Sequence, residues 1–379
     1  LKGFYKMELS KAQLSREAAS TESTQYLTGW VKTADFAGLE EELSTESGAA
    51  AVREISPEEG ESPPVALKNP PVIEAFEVIT DLYGRPRQGM VDPTPFIAPF
   101  FPIFFGLSLT DAGYGLLLML ISGGFLLFSK AAEGTRKFMR FILYSGAATV
   151  IIGAMAGGWF GMDLEAMGGP IANALLSVRI FDPLTDALPF FAMTIMLGSV
   201  QTSVGFVISG YIGIREGENV AMKIKGVLIS LSWIAVAFGA GIFISNYMIP
   251  DFMGRFMALG GNLLKFGALG IVVFSLILDI AGRKGLGTAL GDSFGFDGLY
   301  GVVNLFGDLL SYARLLALGL STGVIAGVIN IIAGRLSAMI PGVGVVFAAL
   351  LVIVGHAAYT GLSALGAFVH PARLHFVEY

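Results

Sequence analysis

This 379-residue sequence predicts an all-α polytopic membrane protein, on three observations. Mean hydropathy is +0.70. Only 14% of the residues are charged, against about 25% in soluble domains. From Pro95 onward, apolar runs fall near 96–129, 137–160, 187–214, 224–248, 263–281, 298–338 and 343–378. About 20 residues suffice to span a hydrocarbon core. The 50 glycines suit helices that pack closely in a membrane. With no cysteine there are no disulfides, thiolate nucleophiles or Cys-ligated metals. The three histidines, His356, His370 and His375, have no metal-ligand spacing, and no Walker A motif is present. No cofactor or metal is expected.

Residues 1–95 are polar and form the soluble part; 96–379 form the transmembrane part. Residues 7–28, rich in Ala, Ser, Glu and Gln, read as a helix, and Thr33 to Glu54 as a small α/β segment. Ser56 to Pro71 is acidic and Pro-rich, hence a linker or surface loop. Residues 72–83 read as a short helix leading to the membrane. Residue 1 is Leu, with no signal peptide near it, so an upstream region is expected. The sequence stops at Tyr379 inside what reads as a continuing helix.

Loop charge sets the topology. Lys130, Arg136, Lys137 and Arg140 mark one loop; Arg215, Lys223 and Lys225 a second; Arg283 and Lys284 a third. The positive-inside rule makes these cytoplasmic. Segments 161–186, 249–262 and 339–342 are acidic or nearly neutral and face outside. If residues 1–95 are cytoplasmic, run 96–129 must cross twice, as a short hairpin broken near Gly113-Tyr114-Gly115. That gives eight crossings with both termini inside. At 1.5 Å per residue, runs 298–338 and 343–378 would be about 60 Å and about 54 Å long. Against a core of about 30 Å, these two C-terminal helices must tilt strongly or protrude. Pro341-Gly342 makes the turn between them.

Arg314 sits in the first of these, within Leu309-Leu310-Ser311-Tyr312-Ala313-Arg314-Leu315-Leu316. A guanidinium stays charged at any accessible pH. Placing one at bilayer depth costs about 2.5–3.5 kcal/mol on insertion scales. At about 100° per residue, its face holds Gly307, Leu310, Ser311, Ala317, Leu318, Ser321, Ile325 and Val328, and no acid. Gly319, Gly323 and Gly327 form a separate small-residue face suited to packing on another helix of the chain. Arg314 lies 27 residues before Pro341 and Arg373 32 after it, so on a helical hairpin the two arginines should fall at similar depth.

Tyr359, Gly366, His370 and Arg373 share a rough stripe of the last helix; His356, Thr360 and Ser363 line an adjacent polar one. Pro371 should kink that helix. His375 and Glu378 lie one turn apart near its end. Each residue also has a bland reading. Arg314 would form a structural salt bridge to Asp308, Asp279 or Asp111; Arg373 would snorkel to the interface; His356 and His370 would be satisfied interior histidines. Asp111 would either hold the hairpin together or serve a proton path.

Four segments then carry a family resemblance. They are Asp92-Pro93-Thr94-Pro95 with Phe104-Phe105-Gly106 and Asp111-Ala112-Gly113-Tyr114-Gly115; Gly158-Trp159-Phe160-Gly161; Leu310-Ser311-Tyr312-Ala313-Arg314-Leu315; and His370-Pro371-Ala372-Arg373-Leu374-His375-Phe376-Val377-Glu378. In this order they resemble the membrane half of subunit I (subunit a) of the A-type and V-type rotary ATPases, over about residues 65–379. The resemblance implies an eight-helix stator beside a rotating ring of proteolipid subunits in a prokaryotic-type cell membrane. It places the family's essential arginine on Arg314 and its second arginine on Arg373. Residues 1–65 would end a cytoplasmic domain that meets the peripheral-stalk and central-stalk subunits. Besides ring and stalks, the expected partner is membrane lipid and not nucleic acid.

On that reading Arg314 favours the ionised form of each arriving ring carboxylate and blocks leakage between two half-channels. Asp163 and Glu165 would stand at the outer mouth, and Ser199, Gln201 and Ser203 would supply polar lining. About four turns before the arginine, where relatives often carry a Glu, this sequence reads Gly298-Leu299-Tyr300-Gly301, with Asp297 and Asp308 as the nearest acids. Asp308 is the candidate substitute. The rival reading is a self-contained transporter or channel with Arg314 binding an anionic substrate. Transporters usually show internal repeats, and none is evident here.

Overall fold

The structure, a computed structural model, describes residues 19–20, 24–47, 51–56, 61, 63–87, 89–217, 219–282, 285–291, 293–295, 300–339 and 342–377. It divides into two units, one of residues 1–68 with 85–92 and the other of 69–84 with 93–379.

In the first unit, β1 (Ala19–Ser20) pairs antiparallel with β2 (Gln25–Tyr26), with Ala19 opposite Tyr26. The helix expected over 7–28 is therefore absent at these four positions; its remaining residues up to 18, and 21–23, lie outside the described residues. Ser and Thr side chains here compete for backbone groups and weaken helix formation. Among the described residues of this unit, one helix, α1, spans Thr33–Ser47. No strand appears among the described residues of 33–54, so the expected α/β segment is corrected to a helix followed by irregular chain. Arg85 Nη1 donates to Val65 O at 3.0 Å.

The second unit is helical. Two short helices, α2 (Pro71–Glu74) and α3 (Glu77–Tyr83), sit where the sequence predicts one. Pro71 opens α2 because the first helical turn needs no N–H from it. Glu77 is buried beside Lys137, whose Nζ lies 2.8 Å from Glu77 and 3.3 Å from Glu74. Asn69 Nδ2 donates to the other Glu77 oxygen at 2.9 Å. Phe76 fills the space among Phe101, Phe141 and Tyr144.

Next come α4 (Thr94–Leu109) and α5 (Ala112–Phe128), then α6 (Glu133–Ala156). The break between α4 and α5 falls at Thr110 and Asp111, one helical turn earlier than the glycines suggest. Thr110 is left-handed (φ 46°) and Asp111 extended, so the first ends α4 and the second caps α5. Gly113 and Gly115 instead sit inside α5 as contact points. A Cβ on Gly113 would meet the Phe160 ring, and one on Gly115 would come within 2.7 Å of Val150 N on α6.

After α6 the chain forms α7 (Leu164–Met167) and α8 (Gly169–Leu176), then α9 (Ala187–Glu216), α10 (Val220–Met248), α11 (Pro250–Met253) and α12 (Met257–Ala281). Small residues bring α10 and α12 together: a Cβ on Gly267 would lie 2.8 Å from Ser232 O, and one on Gly239 2.8 Å from Leu264 N. An ion pair joins the same helices, the half-buried Lys225 Nζ to the buried Asp279 Oδ2 at 2.7 Å. Such a pair fixes register but is weak evidence for stability. The chain ends in α13 (Leu286–Gly291), α14 (Gly301–Ser311), α15 (Ala313–Met339) and α16 (Val343–Val377).

Among the described residues, six stretches are long and apolar enough to cross a membrane: 133–156, 187–216, 220–248, 250–281, 301–339 and 343–376. Helices α4 and α5 are apolar but shorter. The chain is a membrane protein.

Candidate functional site

Arg314 is the second residue of α15, and three contacts fix how α15 lies against α16. A Cβ on Gly355 would lie 3.2 Å from Ile329. Tyr359 Oη donates to Ser321 O at 3.2 Å. A Cβ on Gly366 would lie 3.8 Å from Leu318. Each step down α15 is thus matched by a step along α16, as in any antiparallel helix pair. Carried one turn past Leu318, the pairing sets Arg314 opposite His370. His370 lies within electrostatic reach of both Arg314 and Arg373. Arg373 follows three residues on, about 4.5 Å along the axis. Arg314 and His370 are half-buried; Arg373 is exposed.

The polar stripe of α16 has definite partners. His356 Nδ1 meets Tyr114 Oη at 2.7 Å, and its Nε2 meets Asn330 Oδ1 at 3.0 Å. Asn330 Nδ2 donates to Phe160 O at 2.7 Å. With that amide committed, Asn330 Oδ1 must accept, so Nε2–H donates and Nδ1 accepts from the tyrosine; the tautomer is assigned from this network. Thr360 Oγ1 donates back to His356 O. Ser363 is half-buried, its Oγ without a hydrogen bond. His375 is buried between Phe101 and Phe104, with Nδ1 2.8 Å from Pro371 O.

Asp111 is buried and spends both oxygens on backbone. Oδ1 accepts from Tyr114 N at 3.1 Å and Phe160 N at 2.9 Å; Oδ2 accepts from Gly161 N at 3.1 Å. It thereby staples the α4–α5 break to the turn after α6. Asp163 caps α7, accepting from Ala166 N at 3.0 Å, and the exposed Glu165 pairs with Arg179 at 2.7 Å. Ser199 and Ser203 bond back to their own helix, to Ile195 O and Ser199 O. Gln201 is buried and accepts from Tyr312 Oη at 2.6 Å. Asp308 is half-buried on α14. Glu378 and Asp297 lie outside the described residues.

The structure therefore gathers Arg314, His370 and Arg373 at one level of the α15–α16 hairpin. It places Asp111 and His356 together elsewhere, around Phe160. Of the three carboxylates weighed as salt-bridge partners for Arg314, Asp279 pairs with Lys225 and Asp111 binds backbone. Gly319 packs as its spacing predicts, since a Cβ there would lie 2.8 Å from Leu107 O; a Cβ on Gly323 or Gly327 would make only ordinary contact, 4.0 Å from Leu184 and 3.8 Å from Gly161 O. Sequence reasoning gave Asn330 no role. A lone amide between Val328 and Ile332 was itself the signal, because an unbonded amide in apolar surroundings is costly. Among the described residues, no cluster of three or more His, Asp or Glu side chains could hold a metal ion.

Residues 12–156 match the model of the V-type ATPase 116kDa subunit family. The chain is 34% identical to the A-type ATP synthase subunit I of Pyrococcus abyssi, over 98% of this chain and 54% of that protein. It is 34% identical to the subunit I of Pyrococcus horikoshii, over 95% of this chain and 52% of that protein. The corresponding figures for Thermococcus kodakarensis are 33%, 98% and 54%. The chain thus spans about half the length of these relatives. With the four sequence motifs in order and such matches along nearly all of its length, the chain belongs to the subunit I family of the A-type and V-type ATP synthases.

Proposed function

We propose that this chain is the ion-translocating stator portion of a rotary A/V-type ATPase, passing protons or sodium ions between two half-channels against a proteolipid ring. The observation that carries the reading is the position of Arg314. It lies at the α15–α16 seam, level with His370 and one turn from Arg373, with the exposed apolar residues Leu310 four positions before it and Val369 next to His370. A permanent cation flanked by a greasy surface suits a carboxylate that arrives, ionises and moves on. A protonated carboxyl can cross lipid; a carboxylate pays a large desolvation cost. The cation lowers the carboxyl's pKa and forces release of its proton.

Eight crossings complete the proposal: the six long stretches plus α4 and α5 as a shallow hairpin. Both termini are cytoplasmic, as the loop lysines and arginines require. Residues 1–95 then end the cytoplasmic domain that meets the stalks, and 96–379 form the membrane domain. Asp163, Glu165, Asp308, Ser363 and Glu378 stay candidates for the half-channels; Gln201, fully buried and engaged by the Tyr312 hydroxyl, is left out of them.

Two measurements test this. The full-length protein, purified gently, should carry with it a small, very hydrophobic proteolipid and soluble ATPase subunits. Isolation as a lone, active transporter would overturn the proposal. Arg373→Lys in the assembled complex should lower ATP-driven ion uptake less than Arg314→Ala does, because an exposed lysine keeps its charge. Equal losses would mean that the two arginines share one task.

A further inference from the structure

Two residues ahead of Arg314 the helix tightens. Tyr312 N–H reaches Leu309 O at 3.3 Å, and Leu315 N–H reaches Tyr312 O at 3.0 Å. These are i to i+3 bonds, and a short stretch of them inside a long helix often marks a functional hinge. The residue at this point is among the most firmly held in the molecule. Tyr312 is fully buried. Its ring lies over Gly198 of α9, where a Cβ would come within 2.5 Å of ring carbons. Phe104 meets it edge-on, with centroids 5.7 Å apart and planes at 70°. Its hydroxyl donates to Gln201 Oε1 at 2.6 Å.

Gly198 and Gln201 are three residues apart, so they share one face of α9. That face is a socket: the glycine admits the ring, and the amide one turn on receives the hydroxyl. Seating Tyr312 there has a geometric consequence. Two residues turn the side chain by about 200° in an α-helix and about 240° in the tighter i to i+3 turn. With Tyr312 pinned toward α9, Arg314 must point to the opposite side, toward α16 and His370. The socket also fixes height along the axis, since it grips the chain within one turn of the arginine.

The socket carries a stability penalty that packing does not require. Gln201 is fully buried, and its Nε2 has no hydrogen-bond partner. A buried donor left unmade is costly, whereas replacing both partners of a hydrogen bond by apolar groups of like shape is nearly neutral or stabilising. A Phe–Leu pair would fill the same space without the orphaned donor. We infer that Tyr312 and Gln201 are positioning residues for Arg314, holding a hinge-like turn at one azimuth and height so that the guanidinium meets each passing carboxylate.

This inference rests on the proposed function above, and the test separates the two. The full-length subunit in the assembled complex, reconstituted in vesicles, is compared as wild type, Arg314→Ala and the double variant Tyr312→Phe/Gln201→Leu. The readout is ions taken up per ATP hydrolysed, beside the thermal midpoint. The double variant should assemble and melt like wild type, yet its ion-to-ATP ratio should fall about tenfold to a hundredfold, as displacements near 1 Å can cost that much. A normal ratio in a normally assembled double variant overturns the inference. If the double variant does not assemble, Tyr312→Phe alone decides: a reduced ratio per assembled complex supports the inference and an unchanged one sinks it. Should Arg314→Ala itself pump normally, the functional reading fails first.

Discussion

Arg314→Ala in the assembled complex should abolish ATP-driven ion uptake while leaving assembly intact. At about 4 Å and an effective dielectric near 20, two unit charges interact by about 4 kcal/mol. That is a factor of about a thousand in the ionisation of an arriving carboxyl, since about 1.4 kcal/mol is tenfold. Without the cation the carboxyl stays protonated, and the ring either stalls or turns without delivering its ion. The barrier between half-channels disappears as well, so any imposed gradient should leak. Assembly survives because deleting a charge from a membrane-embedded helix lowers its insertion cost. The half-buried side chain also leaves no large void. The measurement is acidification or sodium uptake by reconstituted vesicles, with ATP hydrolysis followed in parallel. Near-normal uptake by an intact complex would sink the mechanism.

How far the sequence reached depended on the physics of each signal. Arg314 stood out because a permanent charge in an apolar run is expensive wherever the helix lies. The pairing of the last two helices followed from counting outward from Pro341, because an antiparallel hairpin leaves little freedom in register. The break between α4 and α5 was misplaced for an identifiable reason. In soluble helices Gly113 and Gly115 would be breakers, but membrane helices use glycine for close approach. The real cap was Asp111, whose side chain satisfies the freed N–H of Tyr114. Asp163 and Glu165 were read from charge alone, and charge says nothing of the local bonds to Ala166 and Arg179 that engage them. The least legible contacts were long-range. Tyr312 meets Gln201 across 111 positions, and Tyr114 meets His356 across 242. No periodicity encodes such pairs; only the assembled fold brings them together.

Asp111→Ala should destabilise the protein by several kcal/mol, and more than it changes the work done per surviving complex. The carboxylate accepts three backbone N–H groups, from Tyr114, Phe160 and Gly161. A buried group stripped of its partner costs about 1–3 kcal/mol, and a lost N-cap costs about 1 kcal/mol. Relaxation recovers part, so a net loss of about 4 kcal/mol is expected. The turn it holds cannot relax cheaply. Phe160 and Gly161 are both left-handed, at φ 51° and 62°. A non-glycine residue there costs about 1–2 kcal/mol and persists only where its surroundings over-determine it. Those surroundings are Asp111 from one side and Asn330 from the other, the latter donating to Phe160 O. A Cβ on Gly161 would clash with Ala326 of α15, so the turn also seats the helix that carries Arg314. Asp111→Asn keeps one acceptor and presents an NH2 where an N–H already points, so it should fall between wild type and Ala. Thermal unfolding in detergent and the yield of assembled complex measure the loss. Ion uptake per assembled complex then separates two roles for this carboxylate. A structural staple predicts a near-normal ratio in the Asp111→Asn complexes that do assemble. A proton carrier predicts full stability with no uptake, and that outcome would return Asp111 to the ion path.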